Sequence, residues 1–322
     1  MIGKVTPDDL RDHVFNKTGA HDDAVLVGPT YGEDTAAIDL GDQTLVVNSD
    51  PISLATKRIG TLGVYVACND VAASGADPRW LTVVVFLHDD DPALLDEITD
   101  QLDDAAQAAG VAIVGGHSEY AAERSRPLLS LTCLGVTDRY LPTGGAEVGD
   151  TVILTKGAAI EGTAILATDF EDELRGTVSD AVLNRAAGFF DEISVVADSR
   201  IVRDRATALH DPTEGGLIDG LLELAAASGV GLEIDRDAIP IRPETRELCA
   251  ALGIDPLRIF GSGALLVTVP SNARSGVLSD LDEAGIEAAA IGTVEASEEP
   301  VVRLNGEEFR SPVRDDLYAL WE

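Results

Sequence analysis

Basic residues are scarce in this chain: 23 Lys and Arg stand against 57 Asp and Glu, a formal net charge of −34 at pH 7. So acidic a surface repels nucleic acid and anionic membrane, which excludes both as partners. Cysteines number three, Cys68, Cys133 and Cys249. They are far apart, odd in number and set in apolar segments. No zinc or dithiol motif is formed, and buried free thiols in a reducing compartment are expected. No apolar run reaches the length of a membrane span, and nothing at the N-terminus has a signal-peptide pattern. A cytoplasmic protein is expected. Internal repeats and low-complexity tracts are missing too, which sets aside solenoids.

Hydrophobic residues make up 45% of the 322 positions, enough for real cores and too many for a disordered chain. The length suits one large domain or two medium ones. The acidic excess lies in short runs such as Asp89-Asp90-Asp91 and Glu171-Asp172-Glu173 along the whole chain. These read as solvated faces of a halophilic surface, whose self-repulsion concentrated salt screens.

Strand and helix patterns alternate in both halves, so the class is mixed α/β (α+β). Strands are expected at Val25–Gly28, Thr44–Asn48, Trp80–Leu87 and Leu128–Gly135, with a helix over Pro92–Ala109. Val111–Val114 reads as a short buried strand opening onto Gly115-Gly116-His117. The glycine-rich stretch from Gly144 to Asp150 breaks the pattern. It divides the chain into domains 1–146 and 147–322. A long helix is expected from Ser179 to Asp198. Asp34 and Asp50 are expected at strand borders, where either turn chemistry or a converging rim explains them.

Two stretches carry chemistry. His210-Asp211-Pro212-Thr213-Glu214-Gly215-Gly216 precedes Leu217, Leu221 and Leu224 at helical spacing. One reading is a capped helix, with Asp211 as N-cap, Pro212 at N1 and Glu214 at N3. The other is a Mg²⁺–nucleotide site. Gly215 and Gly216 would let something approach the backbone, and a divalent cation would reconcile phosphate with two carboxylates. The second stretch, Thr61–Ala76, is apolar almost all round and marks a buried helix. Asp70 is its one carboxylate, with no Lys or Arg within four residues. A buried carboxylate needs a cation, a proton or several donors.

Taken together, these motifs resemble the superfamily of aminoimidazole ribonucleotide (AIR) synthetase. Its other members include selenophosphate synthetase, thiamine-monophosphate kinase and the hydrogenase-maturation carbamoyl dehydratase. Gly32-Glu33-Asp34-Thr35-Ala36 is similar to the family's Gly-Asp-Asp-Ala-Ala, and Ser49-Asp50 to its Thr-Asp. Asn69-Asp70-Val71-Ala72 through Gly75-Ala76-Asp77-Pro78 is similar to its Asn-Asp motif. Gly115-Gly116-His117-Ser118 is similar to its Gly-Gly motif. His210–Leu217 resembles the Asp-Pro-Thr-Arg-Gly-Gly-Leu of the maturation dehydratases, the branch nearest in motifs.

The resemblance implies a two-domain fold whose N-terminal domain pairs with a dimer mate to form a barrel. It implies ATP and Mg²⁺ as cofactors, the metal held by Asp34, Asp50, Asp70 and Asp211. Gly32, Gly115, Gly116, Gly215 and Gly216 would lie against the nucleotide, and His117 and Lys156 are candidate catalytic residues. Glu161 is placed near an acceptor pocket. The expected function is ATP-dependent phosphorylation or activation of a small-molecule or carbamoyl/amide-type acceptor. The alternative is a nucleotide-binding maturation or regulatory scaffold with little turnover. Three departures bear on the acceptor. His117 stands where kinase and dehydratase members carry Asp. No cysteine precedes Cys68, where selenophosphate synthetase needs its nucleophile. The tail Trp321-Glu322 lacks the dehydratase's cysteine, so no carbamoyl adduct is expected there.

Overall fold

The computed structural model describes residues 3–322. Two sheets organise them. The first contains β1 (Val25–Val27), β2 (Ala36–Asp39), β3 (Thr44–Ile52), β4 (Asp77–Leu87), β5 (Ala112–Tyr120) and β6 (Leu128–Thr137). Their spatial order is β1-β2-β3-β6-β4-β5, antiparallel except for the parallel β4–β5 pair. The second contains β7 (Thr151–Thr155), β8 (Ala208–His210), β9 (Gly231–Ile234), β10 (Leu266–Val269), β11 (Ala288–Glu295), β12 (Val301–Leu304) and β13 (Glu307–Phe309). They run β13-β12-β9-β11-β7-β10-β8. This is the mixed α/β, two-domain architecture expected from the alternating pattern.

Burial along β6 alternates residue by residue from Leu128 to Gly135, as the period of a strand requires when one face is covered. The covered face meets helix Ile59–Ala73, of which every residue except Tyr65 is buried. Leu62, Val64, Cys68 and Val71 pack there with Leu81, Leu129 and Leu131. Each such aliphatic side chain contributes roughly 1.5–3 kcal/mol on burial. Helix Pro92–Ala109 lies outside it, capped by Asp91 and ended by Gly110 in the left-handed region. The same core continues into the second half through Ile160, Ile165, Phe190 and Phe260. The halves therefore share one apolar seam, and the cleft described below opens along it.

Four local expectations are corrected. β3 runs on through Ser49, Asp50 and Pro51, so Asp50 lies inside a strand and not at its border. Its cross-strand partner Leu131 holds it there in register with β6. Of the Val111–Val114 segment only Val111 is buried: β5, which starts at Ala112, is an exposed edge strand along its whole length. Asp211 is not an N-cap, because the helix begins at Gly216 with Gly215 as its cap. Finally, the Ser179–Asp198 helix is broken into Asp180–Ala187, a 3₁₀ turn over Gly188–Glu192 and Val196–Val202. Side chains from outside hold the break open. Asn69 Nδ2 donates to the Ile193 carbonyl (2.9 Å), and the Val195 amide donates to Asn69 Oδ1 (2.8 Å).

Candidate functional site

Alternation along β3 places Asn48, Asp50 and Ile52 on one face. Asn48 is buried, and its amide nitrogen donates to Asp50 Oδ2 at 2.9 Å and to Asp70 Oδ2 at 2.7 Å. Its own oxygen accepts from the Cys133 amide across the strand pair, which fixes the side chain's direction. Asp70 reaches this point from the buried helix. Burial raises its pKa well above the usual carboxylate range, and the charges of Asp211 and Asp50 raise it further.

Asp211 follows β8 directly and is 1% exposed. Both of its carboxylate oxygens are buried with no hydrogen-bond partner among the described residues. Burial, then the charge of Asp34, push it up to about 8. One carboxylate oxygen from each of Asp34, Asp70 and Asp211 lies within 4.8 Å of the others. Asp50 is tied to this trio through Asn48. Three close carboxylates, one wholly unsatisfied, are costly unless protons or cations offset them. Oxygen-only donors of this kind fit a hard divalent cation such as Mg²⁺.

Behind the cluster sits a charged layer that the sequence reading did not pick out. His210 is buried, with Nε2 3.0 Å from Glu223 Oε2 and Nδ1 3.6 Å from Asp34 Oδ2. Burial opposes its charge, but Glu223, Asp34 and Asp211 outweigh that and raise it to about 9. Glu223 is held down at about 2: burial works against its charge, and Lys4 and His210 prevail. Lys4 lies 3.4 Å from Glu214, 3.6 Å from Glu223 and donates to Thr213 Oγ1 at 3.3 Å. It is a cation at the lip of an acidic cleft. Glu223 had a signal, because Asp219 and Glu223 are the only charges in an otherwise apolar helix (Gly216–Ser228). Like Asp70, Glu223 is a buried carboxylate in an apolar helix and needs a cation, a proton or donors. Lys4 and Asn48 had none beyond their types.

The remaining expected residues scatter. Gly32 is buried against the backbone of Glu223, and the next residue, Glu33, accepts from the Thr143 and Gly144 amides. Gly215 and Gly216 have φ of +79° and +66°. Their close backbone approach is to protein: a Cβ on Gly216 would meet the Ile259 carbonyl at 2.6 Å. Their amides donate to Asp315 and to the Thr213 carbonyl, so neither is left for phosphate. Gly115, Gly116 and His117 lie on edge strand β5, where His117 is exposed and pairs with Glu119 at 3.0 Å. The register Asp50–Leu131–Val83–Gly116 crosses three strand spacings. That is roughly 14 Å, out of reach of the cluster within one protomer.

Lys156 is not brought to the cluster either. Its ammonium donates to the carbonyls of Glu192 (2.9 Å) and Ser194 (2.6 Å) and lies 3.5 Å from Asp198. It clamps the broken helical segment, so a catalytic role is replaced by a structural one. Lys156→Met strands two carbonyls and the buried Asp198 carboxylate. A loss of about 3 kcal/mol is expected, with Mg²⁺–ATP affinity unchanged. Melting curves beside nucleotide titration check this; a folded variant with collapsed affinity would restore the catalytic reading.

Two family models match the chain. Residues 32–137 match the N-terminal domain of AIR synthase related proteins, and residues 147–305 match the C-terminal domain. The chain belongs to the AIR synthase-related family. Carbamoyl dehydratase HypE of Rhizobium leguminosarum bv. viciae is 31% identical over 297 residues, covering 85% of this chain and 80% of that protein. Among solved structures, AaThiL complexed with AMPPCP and TMP superposes with a TM-score of 0.75 at 19% identity, over 95% of this chain and 96% of that one. The HypE–HypF complex gives a TM-score of 0.74 at 22% identity, covering 95% and 99%. Hydrogenase maturation protein HypE in complex with ATP gives 0.66 at 23% identity, covering 95% and 91%. For this AIR synthase-related protein the structural likenesses carry the fold. No helix among its described residues is long and apolar enough to cross a membrane.

Proposed function

We propose that this protein is a Mg²⁺-dependent ATP-using enzyme that phosphorylates or activates a small-molecule or carbamoyl/amide-type acceptor. The observation that carries the reading is the Asp34–Asp70–Asp211 trio, with both Asp211 oxygens buried and unpartnered. Those three, with Asp50, would hold Mg²⁺. Bound there, the metal neutralises phosphate charge and polarises phosphoryl oxygens. The chain's own residues do the rest. Asn48 fixes the spacing of Asp50 and Asp70. The His210–Glu223 pair fixes the loop carrying Asp211. Lys4, paired with Glu214 and Glu223, ties the lip of the cleft together. Relatives solved with AMPPCP and with ATP support the nucleotide. The test is product analysis under turnover with ATP and Mg²⁺ and candidate acceptors. ADP or AMP with phosphate at catalytic rates supports an enzyme.

One observation favours the second reading, a nucleotide-binding maturation or regulatory scaffold: a structural neighbour is a complex, HypE with HypF. Stoichiometric nucleotide binding without turnover would favour it. We place the domain division at 146/147, between the last strand of one sheet and the first of the other. A cytoplasmic, halophilic protein remains the expectation from composition.

We also propose a homodimer through the first sheet. Edge strand β5 exposes Ile113, Val114 and Tyr120 together with an unpaired backbone edge. Pairing there would cover the strand and set Gly115, Gly116 and His117 against a second copy. Light scattering in molar salt should give twice the 33.7 kDa chain mass. A monomer at micromolar concentration would contradict this, and Val114→Lys should dissociate the dimer.

A further inference from the structure

We propose that Glu161 and Ser262 form the acceptor end of the cleft and select an uncharged molecule with an apolar body and a hydrogen-bonding end. The inference deepens the ATP-using reading above and rests on it for the word acceptor. From Asp70 the cleft continues along one face of the buried helix, past Val66 and Leu62, and faces Ile165 and Phe260. Those four side chains make an apolar trough beside the acidic cluster. Glu161 and Ser262 also line it. Glu161 stands in the first turn of helix Ile160–Asp169, one turn before Ile165 and therefore on the same face. Its amide donates to the Ser262 carbonyl at 3.0 Å, which sets the two residues side by side.

Both groups are buried in the wall of the cleft. Ser262 is 1% exposed; its hydroxyl makes no well-aligned hydrogen bond among the described residues and acts on the adjoining Glu161 carboxyl. An orphaned buried hydroxyl in the wall of a cleft is resolved when a ligand supplies the missing bond. Glu161 is 6% exposed, and burial, partly offset by the Ser262 hydroxyl, raises it to about 8. Near neutral pH it is a protonated acid, able to donate as well as accept. Together they suit a carbonyl, amide or hydroxyl end.

Charge decides against an anionic acceptor. Asp34, Asp50, Asp70 and Glu214 line the same cleft, and Lys4 is the one cation among its described lining residues. Lys4 is already engaged by Glu214 and Glu223. Metal ions at the aspartates would face nucleotide phosphates, leaving no positive charge for a second phosphate or a carboxylate.

Three probes that share one ring test this: benzamide, benzoate and phenyl phosphate. Saturation-transfer NMR is run in molar salt on the full chain, with and without Mg²⁺–AMPPCP. Benzamide is expected to bind in both conditions, at least tenfold more tightly than either anion. Glu161→Ala should weaken it at least fivefold and Glu161→Gln should restore it. Ser262→Ala should weaken it too, and judges the inference should the Glu161 variants not fold. Equal binding of an anion, binding of no probe, displacement of benzamide by the nucleotide, or unchanged affinity in the Ala variants would overturn it. Titration of Mg²⁺–AMPPCP on the same samples separates the two claims. Failure there removes the ATP reading, while probe selectivity without nucleotide still judges the cleft.

Discussion

Asp211→Asn is expected to abolish Mg²⁺-dependent ATP binding and to raise the melting temperature of the metal-free protein. The first effect follows from removing one of three converging carboxylates. The second follows from linkage. In the folded protein Asp211 is pushed up to about 8, against an ordinary value of 3.8. A raised carboxyl contributes its full stability below the unfolded pKa, near pH 4, and loses it as pH climbs towards the folded value. Metal-free wild type should therefore weaken between about pH 4 and pH 8. Asparagine does not titrate in this range, so the variant should match wild type near pH 4 and exceed it by a few kcal/mol at pH 8. Melting curves in EDTA at several pH values check the trend. A variant less stable than wild type throughout, with ATP affinity intact, would make Asp211 a structural residue.

Transfer from molar salt to dilute buffer is expected to cost the protein several kcal/mol. The net charge of −34 is spread over the whole chain, so the repulsion has no single location to relax. The screening length grows from about 3 Å at 1 M salt to about 10 Å at 0.1 M, which brings many more like charges into contact. For a chain this long the shift in melting temperature should be roughly 10 °C or more. Scanning calorimetry across a KCl series measures it. A flat response would show that the acidic surface is no halophilic adaptation.

Asp70 was legible because a lone carboxylate in an apolar helix has to be explained by what surrounds it, and burial there is a property of the pattern itself. The helix Pro92–Ala109 was legible for similar reasons, with its cap, proline and terminal glycine all written locally. Asp34 and Asp211 were found through motifs, and the structure brings both to Asp70. The errors arise where tertiary contacts override local chemistry. Asp211-Pro212-Thr213-Glu214 has every feature of a helix start, yet the helix waits for Gly216. Asp211 is taken up by the cluster, and Asp315 binds the Gly215 amide from 100 residues away. Lys156 precedes a glycine, Gly157, but its partners lie about 36 residues on, in a segment that reads as plain helix. The edge position of β5 depends on strand order, which no local pattern encodes. His210 and Glu223, thirteen residues apart, meet because the helix carrying Glu223 packs back on β8.

The central claim is that the converging aspartates hold Mg²⁺–ATP. Calorimetric titration of ATP into wild type and Asp70→Asn, each with Mg²⁺ and with EDTA, tests it most directly. Tight binding is expected only for wild type with Mg²⁺, with a loss of at least a hundredfold in the variant and metal-free stability unchanged or raised. Equal ATP affinity in wild type and Asp70→Asn in the presence of Mg²⁺ would contradict it.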